Sequence, residues 1–65
     1  MQRLEMYYRW LTMRVWVRFN GGSGYEVEAE HVDGSMSVRY CPNRADAVAY
    51  VAQLRQEGNR KECQF

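Results

Sequence analysis

A chain of 65 residues folds as a single domain, and at this size folding buries only about 60% of the surface the unfolded chain exposes, so a partner or a second copy would add stability. Nine Lys and Arg against eight Asp and Glu leave a formal charge of +1, which excludes the broad basic field of a nonspecific nucleic-acid binder. No run approaches the roughly 20 apolar residues of a membrane span, and Arg3, Glu5 and Arg9 interrupt the start of the chain where a signal peptide needs an apolar stretch, so a cytosolic protein is expected.

Met1 to Tyr8 reads three ways. Leu4, Tyr8 and Leu11 stand at helical spacing, yet the segment runs directly into a strand-like one, so a short helix, a frayed arm over residues 1–9, or a leader before an alternative start at Met6 or Met13 is expected ahead of the core. From Trp10 to Phe19 the period is two: Leu11, Met13, Val15, Val17 and Phe19 share one face, and Trp10, Thr12, Arg14, Trp16 and Arg18 the other. Asn20-Gly-Gly-Ser-Gly24 follows as a hairpin loop. A phosphate-binding loop would hand the chain to a helix, whereas this one hands it to another alternating segment, Tyr25 to Val32.

That segment, Tyr-Glu-Val-Glu-Ala-Glu-His-Val, is expected to be the central strand. With Phe19 opposite Tyr25, Val17 meets Val27, Val15 meets Ala29 and Met13 meets His31 on an apolar face, while Arg18 meets Glu26, Trp16 meets Glu28 and Arg14 meets Glu30 on the other. A slip of one residue would turn every apolar side chain outward, so burial fixes this register and the paired charges agree with it. Asp33-Gly34 reads as a two-residue type I′ turn. It sets Val32 opposite Ser35, and then His31 opposite Met36, Ala29 opposite Val38, Val27 opposite Tyr40 and Glu28 opposite Arg39.

After Cys41-Pro42 the period changes. Asn43 is a good N-cap with Asp46 in the first turn, and Ala45 to Glu57 is the predicted helix, with Ala47, Val48, Val51 and Leu54 as its apolar stripe, Tyr50 and Ala52 at the margins and Gly58 as the C′ stop. Asn59 to Phe65 is a polar tail in which Cys63 and Phe65 would allow docking. The expected fold is thus α+β in one domain over residues 1–65: a three-stranded antiparallel meander with one C-terminal helix on one face, the core spanning Trp10 to Gly58.

No catalytic or metal-binding constellation is expected. His31 is the lone histidine, and a cysteine hydrolase would need it within about 3 Å of a thiol. The expected register instead places Cys41 beside Glu26, about five residues along the strand from His31 and on the opposite face. Cys41 and Cys63 are too few for a disulfide scaffold, and free thiols are the default in a reducing compartment. His31, Cys41 and Cys63 lack the spacing and the fourth ligand of a zinc site. Glu26, Glu28 and Glu30 stand on a flat sheet beside arginines, where ion pairing keeps carboxylates ionised. The chain reads as a non-enzyme without a cofactor.

Trp10 and Trp16 fall on the polar face, where large aromatics call for a cover: the N-terminal segment, a second copy, or a foreign protein. The expected working surface is therefore Trp10, Arg14, Trp16, Arg18, Glu26, Glu28, Glu30 and Arg39, used for a protein partner or for a homodimer. Arginine and tryptophan on one strand also suit a single-strand nucleic-acid platform, although the acidic central strand would repel phosphate.

The order strand, strand, strand, helix over Trp10 to Gly58 resembles, in architecture, small βββα modules such as the arm-type DNA-binding domains of integrases. In size and style, short and motif-free with a mixed-charge face, the chain is similar to the small proteins of phages and mobile elements that include the anti-CRISPR inhibitors. That resemblance implies a stoichiometric inhibitor that binds a CRISPR effector subunit and blocks target DNA recognition or nuclease recruitment in the host cytoplasm. The alternative it leaves is a small nucleic-acid-binding domain.

Overall fold

The computed structural model describes residues 2–59. Cys63 and Phe65, expected in a docking tail, lie outside the described residues. The chain forms strands β1 (Arg3–Arg9), β2 (Met13–Phe19), β3 (Tyr25–His31) and β4 (Met36–Cys41), followed by helix α1 (Arg44–Gly58). The strands make one antiparallel sheet in the order β1-β2-β3-β4. The architecture is α+β with a C-terminal helix on one face, and the sheet has four strands where the sequence suggested three. No helix among the described residues is long and apolar enough to cross a membrane.

The additional strand is the segment expected as a helix or arm. Its period of two is broken by a bulge: Leu4 stands opposite Arg18 and Met6 opposite Val17, with Glu5 as the extra residue. Such a bulge sends Leu4 to one face and Met6 to the other, so the alternation that marks a strand is lost from the sequence. The predicted strand Trp10 to Phe19 is shorter in the structure and begins at Met13. Residues 10–12 form the connection, closed by a Trp10 N–H to Met13 carbonyl bond of 2.8 Å.

Between β2 and β3 the register is the expected one in all seven pairs, from Met13 opposite His31 to Phe19 opposite Tyr25. Between β3 and β4 it differs by one residue. Tyr25 faces Cys41, Val27 faces Arg39, Ala29 faces Ser37 and Glu30 faces Met36. The cause is the turn, which uses three residues rather than two. The Gly34 N–H donates to the His31 carbonyl at 2.9 Å, the His31 N–H donates to the Ser35 carbonyl at 2.8 Å, and Gly34 takes a positive φ of 90°. This is a turn closed by a left-handed glycine, the usual three-residue hairpin. The Asp33 carboxylate fixes it by accepting from Ser35 N–H at 2.9 Å and from Ser35 Oγ at 2.7 Å. As a result Met36, Val38 and Tyr40, expected in the core, face away from the helix, and Ser37, Arg39 and Cys41 face it.

Helix α1 begins as expected, with Asn43 Oδ1 accepting from Asp46 N–H at 2.9 Å. It lies across β2, β3 and β4. Its buried residues Ala47, Val51 and Leu54 meet Met13, Val15, Val17, Val27, Ala29 and Cys41 in one core. Alanine and valine at the contact let the helix approach a sheet whose own side chains are branched. Val48, expected in the stripe, is half-exposed. Gly58 belongs to the last helical turn and is buried, where a C′ stop was expected. Its carbonyl accepts from Thr12 N–H at 2.8 Å and from Thr12 Oγ1 at 3.0 Å, so the connection between β1 and β2 caps the helix.

A candidate protein-binding face on the open side of the sheet

A single helix is about 10 Å wide, whereas four strands spaced about 4.8 Å apart span roughly 19 Å. One face of the sheet carries α1, and among the described residues nothing covers the other. The registers arrange that open face as three rows running across all four strands: Leu4, Arg18, Glu26, Tyr40; then Tyr7, Trp16, Glu28, Val38; then Arg9, Arg14, Glu30, Met36. Read by strand, the face carries Leu4, Tyr7 and then Arg9 on β1, is basic with a central tryptophan on β2, acidic on β3 and apolar on β4.

Six of the eight residues expected on the working surface are here: Arg14, Trp16, Arg18, Glu26, Glu28 and Glu30. Arg14 Nη2 lies 2.7 Å from Glu30 Oε1, its neighbour across the strands. Arg18 pairs with Glu28 on the diagonal, leaving the directly opposite Glu26 to accept from the side-chain amide of Gln2. These ion pairs are partly solvated and of the kind that contributes about 0–1 kcal/mol each. Their effect is to hold the long arginine side chains flat. Trp16 is flanked by the Tyr7 ring at 5.5 Å between centroids and by the Arg14 guanidinium at 6.0 Å. The N-terminal segment therefore stands beside Trp16 as a strand and leaves its outer face open.

Trp10 and Arg39 lie on the opposite side, contrary to expectation. Trp10 follows the end of β1, stacks on Tyr8 at 5.3 Å and packs against the core. Arg39 is turned to the helix side by the one-residue register difference and stays exposed there, its guanidinium 4.6 Å from the centre of the Tyr50 ring. In their place the face gains five large apolar side chains that the sequence reading missed there: Leu4, Tyr7, Met36, Val38 and Tyr40, the last 69% exposed. The alternation of Met36, Val38 and Tyr40 with Ser37 and Arg39 was visible in the sequence; which way it faced depended on the turn.

The structure separates His31 from Cys41 differently from the sequence reading. Both face the helix side, but Cys41 is buried opposite Tyr25 and His31 stands six positions further along β3, about 20 Å away at ~3.3 Å per residue. His31 Nε2 lies 3.1 Å from Ser37 Oγ. Among the described residues no three His, Cys, Asp or Glu side chains converge as a metal site would require. Glu26, Glu28 and Glu30 are spread along one strand with basic or amide partners.

Comparison with known proteins gives no match to a protein-family model, to a curated protein or to a solved structure.

Proposed function

We propose that the protein is a non-enzymatic protein-binding module that works through the open face of its sheet. The observation that carries this reading is the row of Met36, Val38 and Tyr40, which together with Leu4, Tyr7 and Trp16 places large apolar side chains on a rigid, uncovered surface. Surfaces of this size and character on small domains are sites of association, and tryptophan and arginine are the types most enriched at interface hot spots. The strands hold these side chains without the ordering cost a loop would incur on binding.

A nucleic-acid platform would need Arg14 and Arg18 free for phosphate, but Glu30 and Glu28 engage both. The acidic strand beside them would repel the backbone. The resemblance to anti-CRISPR inhibitors would make the foreign partner a CRISPR effector subunit; the feature of this chain in its favour is the acidic row, which suits a basic nucleic-acid groove.

The experiment is to pair Trp16→Ala with Val38→Lys, both on the open face, and to compare that variant with Val48→Lys on the helix side. The open-face variant should lose protein association, whether to itself or to a purified effector, while its thermal midpoint stays within a few degrees of the parent; Val48→Lys should retain both properties. Association unchanged in the open-face variant would refute the choice of surface.

A further inference from the structure

The pattern of the open face is complementary to itself, and we infer that its occupant is a second copy of this chain, related by a two-fold axis lying parallel to the strands, over the line between β2 and β3. The inference rests on the protein-binding reading above and names the partner.

Rotation about such an axis exchanges left and right across the sheet and leaves position along the strands unchanged. The copy's β2 then lies over β3, and its β4 over β1. Because the rows run straight across all four strands, the residues meet row by row. Arg14 of one copy lies over Glu30 of the other, and Arg18 over Glu26. Tyr40 lies over Leu4, and Val38 over Tyr7. The two Trp16 side chains come side by side at the axis. Arg14 and Arg18 thus face glutamates, Tyr40 and Val38 face the apolar residues of β1, and at the rim Met36 lies over the aliphatic stem of Arg9.

The other two-fold that brings the faces together, across the strands, would lay β2 on β2 and set arginine over arginine. Charge therefore selects one axis and excludes the other. Aligned sheets pack with their strands about 30° apart. Rows about 7 Å from the central one are then displaced by roughly 3–4 Å, less than one strand spacing and within an arginine's reach. Near the centre, Glu28 is already paired with Arg18 of its own chain, so closing the interface leaves no lone charge there.

The test uses the full chain and two charge reversals, Arg14→Glu and Glu30→Arg. At about 100 µM, well above a micromolar dissociation constant, light scattering on the parent should give twice the chain mass of 7.7 kDa. Each reversal places like charges opposite one another and should give the single-chain mass. Mixed one to one, the two monomeric variants should form a heterodimer, since residue 14 of either then faces an opposite charge at residue 30 of the other. Both reversals lie at partly solvated ion pairs, so the folds should survive. Should one be lost, Val38→Glu, which sets a carboxylate over the copy's Tyr7 ring, must abolish the dimer in its place. A monomeric parent, a dimer indifferent to the reversals, or variants that fail to pair when mixed would overturn this geometry. A monomeric parent that still binds a foreign protein through Trp16 and Val38 would leave the protein-binding reading standing.

Discussion

Gly58 is glycine because Trp10 occupies the space beside it. A Cβ at position 58 would stand 2.9 Å from Trp10 Cε3 and 3.2 Å from both the Trp10 and the Met13 Cβ atoms. Replacing glycine with alanine inside a helix ordinarily gains up to about 1 kcal/mol. Here Gly58→Ala should instead destabilise by about 1–2 kcal/mol, the range for overpacking a closed site. The ring cannot swing away freely, because it stacks on Tyr8. In urea melts the penalty should shrink in a Trp10→Ala background, since the two residues share one contact and their effects cannot add. A stabilising Gly58→Ala would mean that Trp10 does not pack on the helix end.

The Asp33 turn makes stability depend on pH in a definite direction. Its carboxyl is held below the ordinary value of 3.8, chiefly by the Ser35 hydroxyl, then by the Ser35 N–H, with a smaller contribution from His31. A group whose folded pKa is depressed contributes stability above its unfolded pKa and loses it as pH falls through the folded value. Asp33→Asn keeps an acceptor oxygen for Ser35 but does not titrate. The parent's advantage over this variant should therefore be full at pH 5 and above, at least one unit over the unfolded value, and should diminish as the pH is lowered past 3.8. Denaturant midpoints measured across that range check it; a gap that widened on acidification would contradict the turn's geometry.

The same turn marks the boundary of what the sequence made legible. The β2–β3 hairpin could be read because both strands alternate without interruption and opposite charges agree with burial, so turn chemistry was not needed to set the register. For β3 and β4 everything hung on the turn. Asp-Gly is compatible with two loop residues or three, and the choice moves every β4 side chain to the other face. The Asp-Gly-Ser sequence did contain a signal for the longer form, an acceptor two residues ahead of a serine able to donate twice. On the open face, strands β2 and β3 were accordingly correct, Arg39 was misplaced, and the apolar row of β4 went unseen. The loss of β1 had a different origin, since a bulge at Glu5 erases the alternation by which a strand is recognised.

That bulged strand belongs to the domain, which leads to the last prediction. A chain beginning at Met13 would lose the ladder along β2, the Thr12 cap on the Gly58 carbonyl, and the half-buried side chains of Met6, Tyr8 and Trp10 that pack against the core. Three such side chains contribute about 1–2 kcal/mol each. A domain of this length has a total stability of about 3–10 kcal/mol. The truncated chain should therefore show no cooperative thermal transition by circular dichroism. It would also expose β2 as a bare edge beside Trp16, which favours aggregation over a clean monomer. Shortening the chain only to Arg3 should be nearly neutral in the melt, since it spares every residue of β1 and, among the described residues, removes the exposed contact from Gln2 to Glu26. If the chain beginning at Met13 melted at the parent's temperature, the three later strands and the helix would be a complete domain, and β1 with Tyr7 would have to be removed from the binding face.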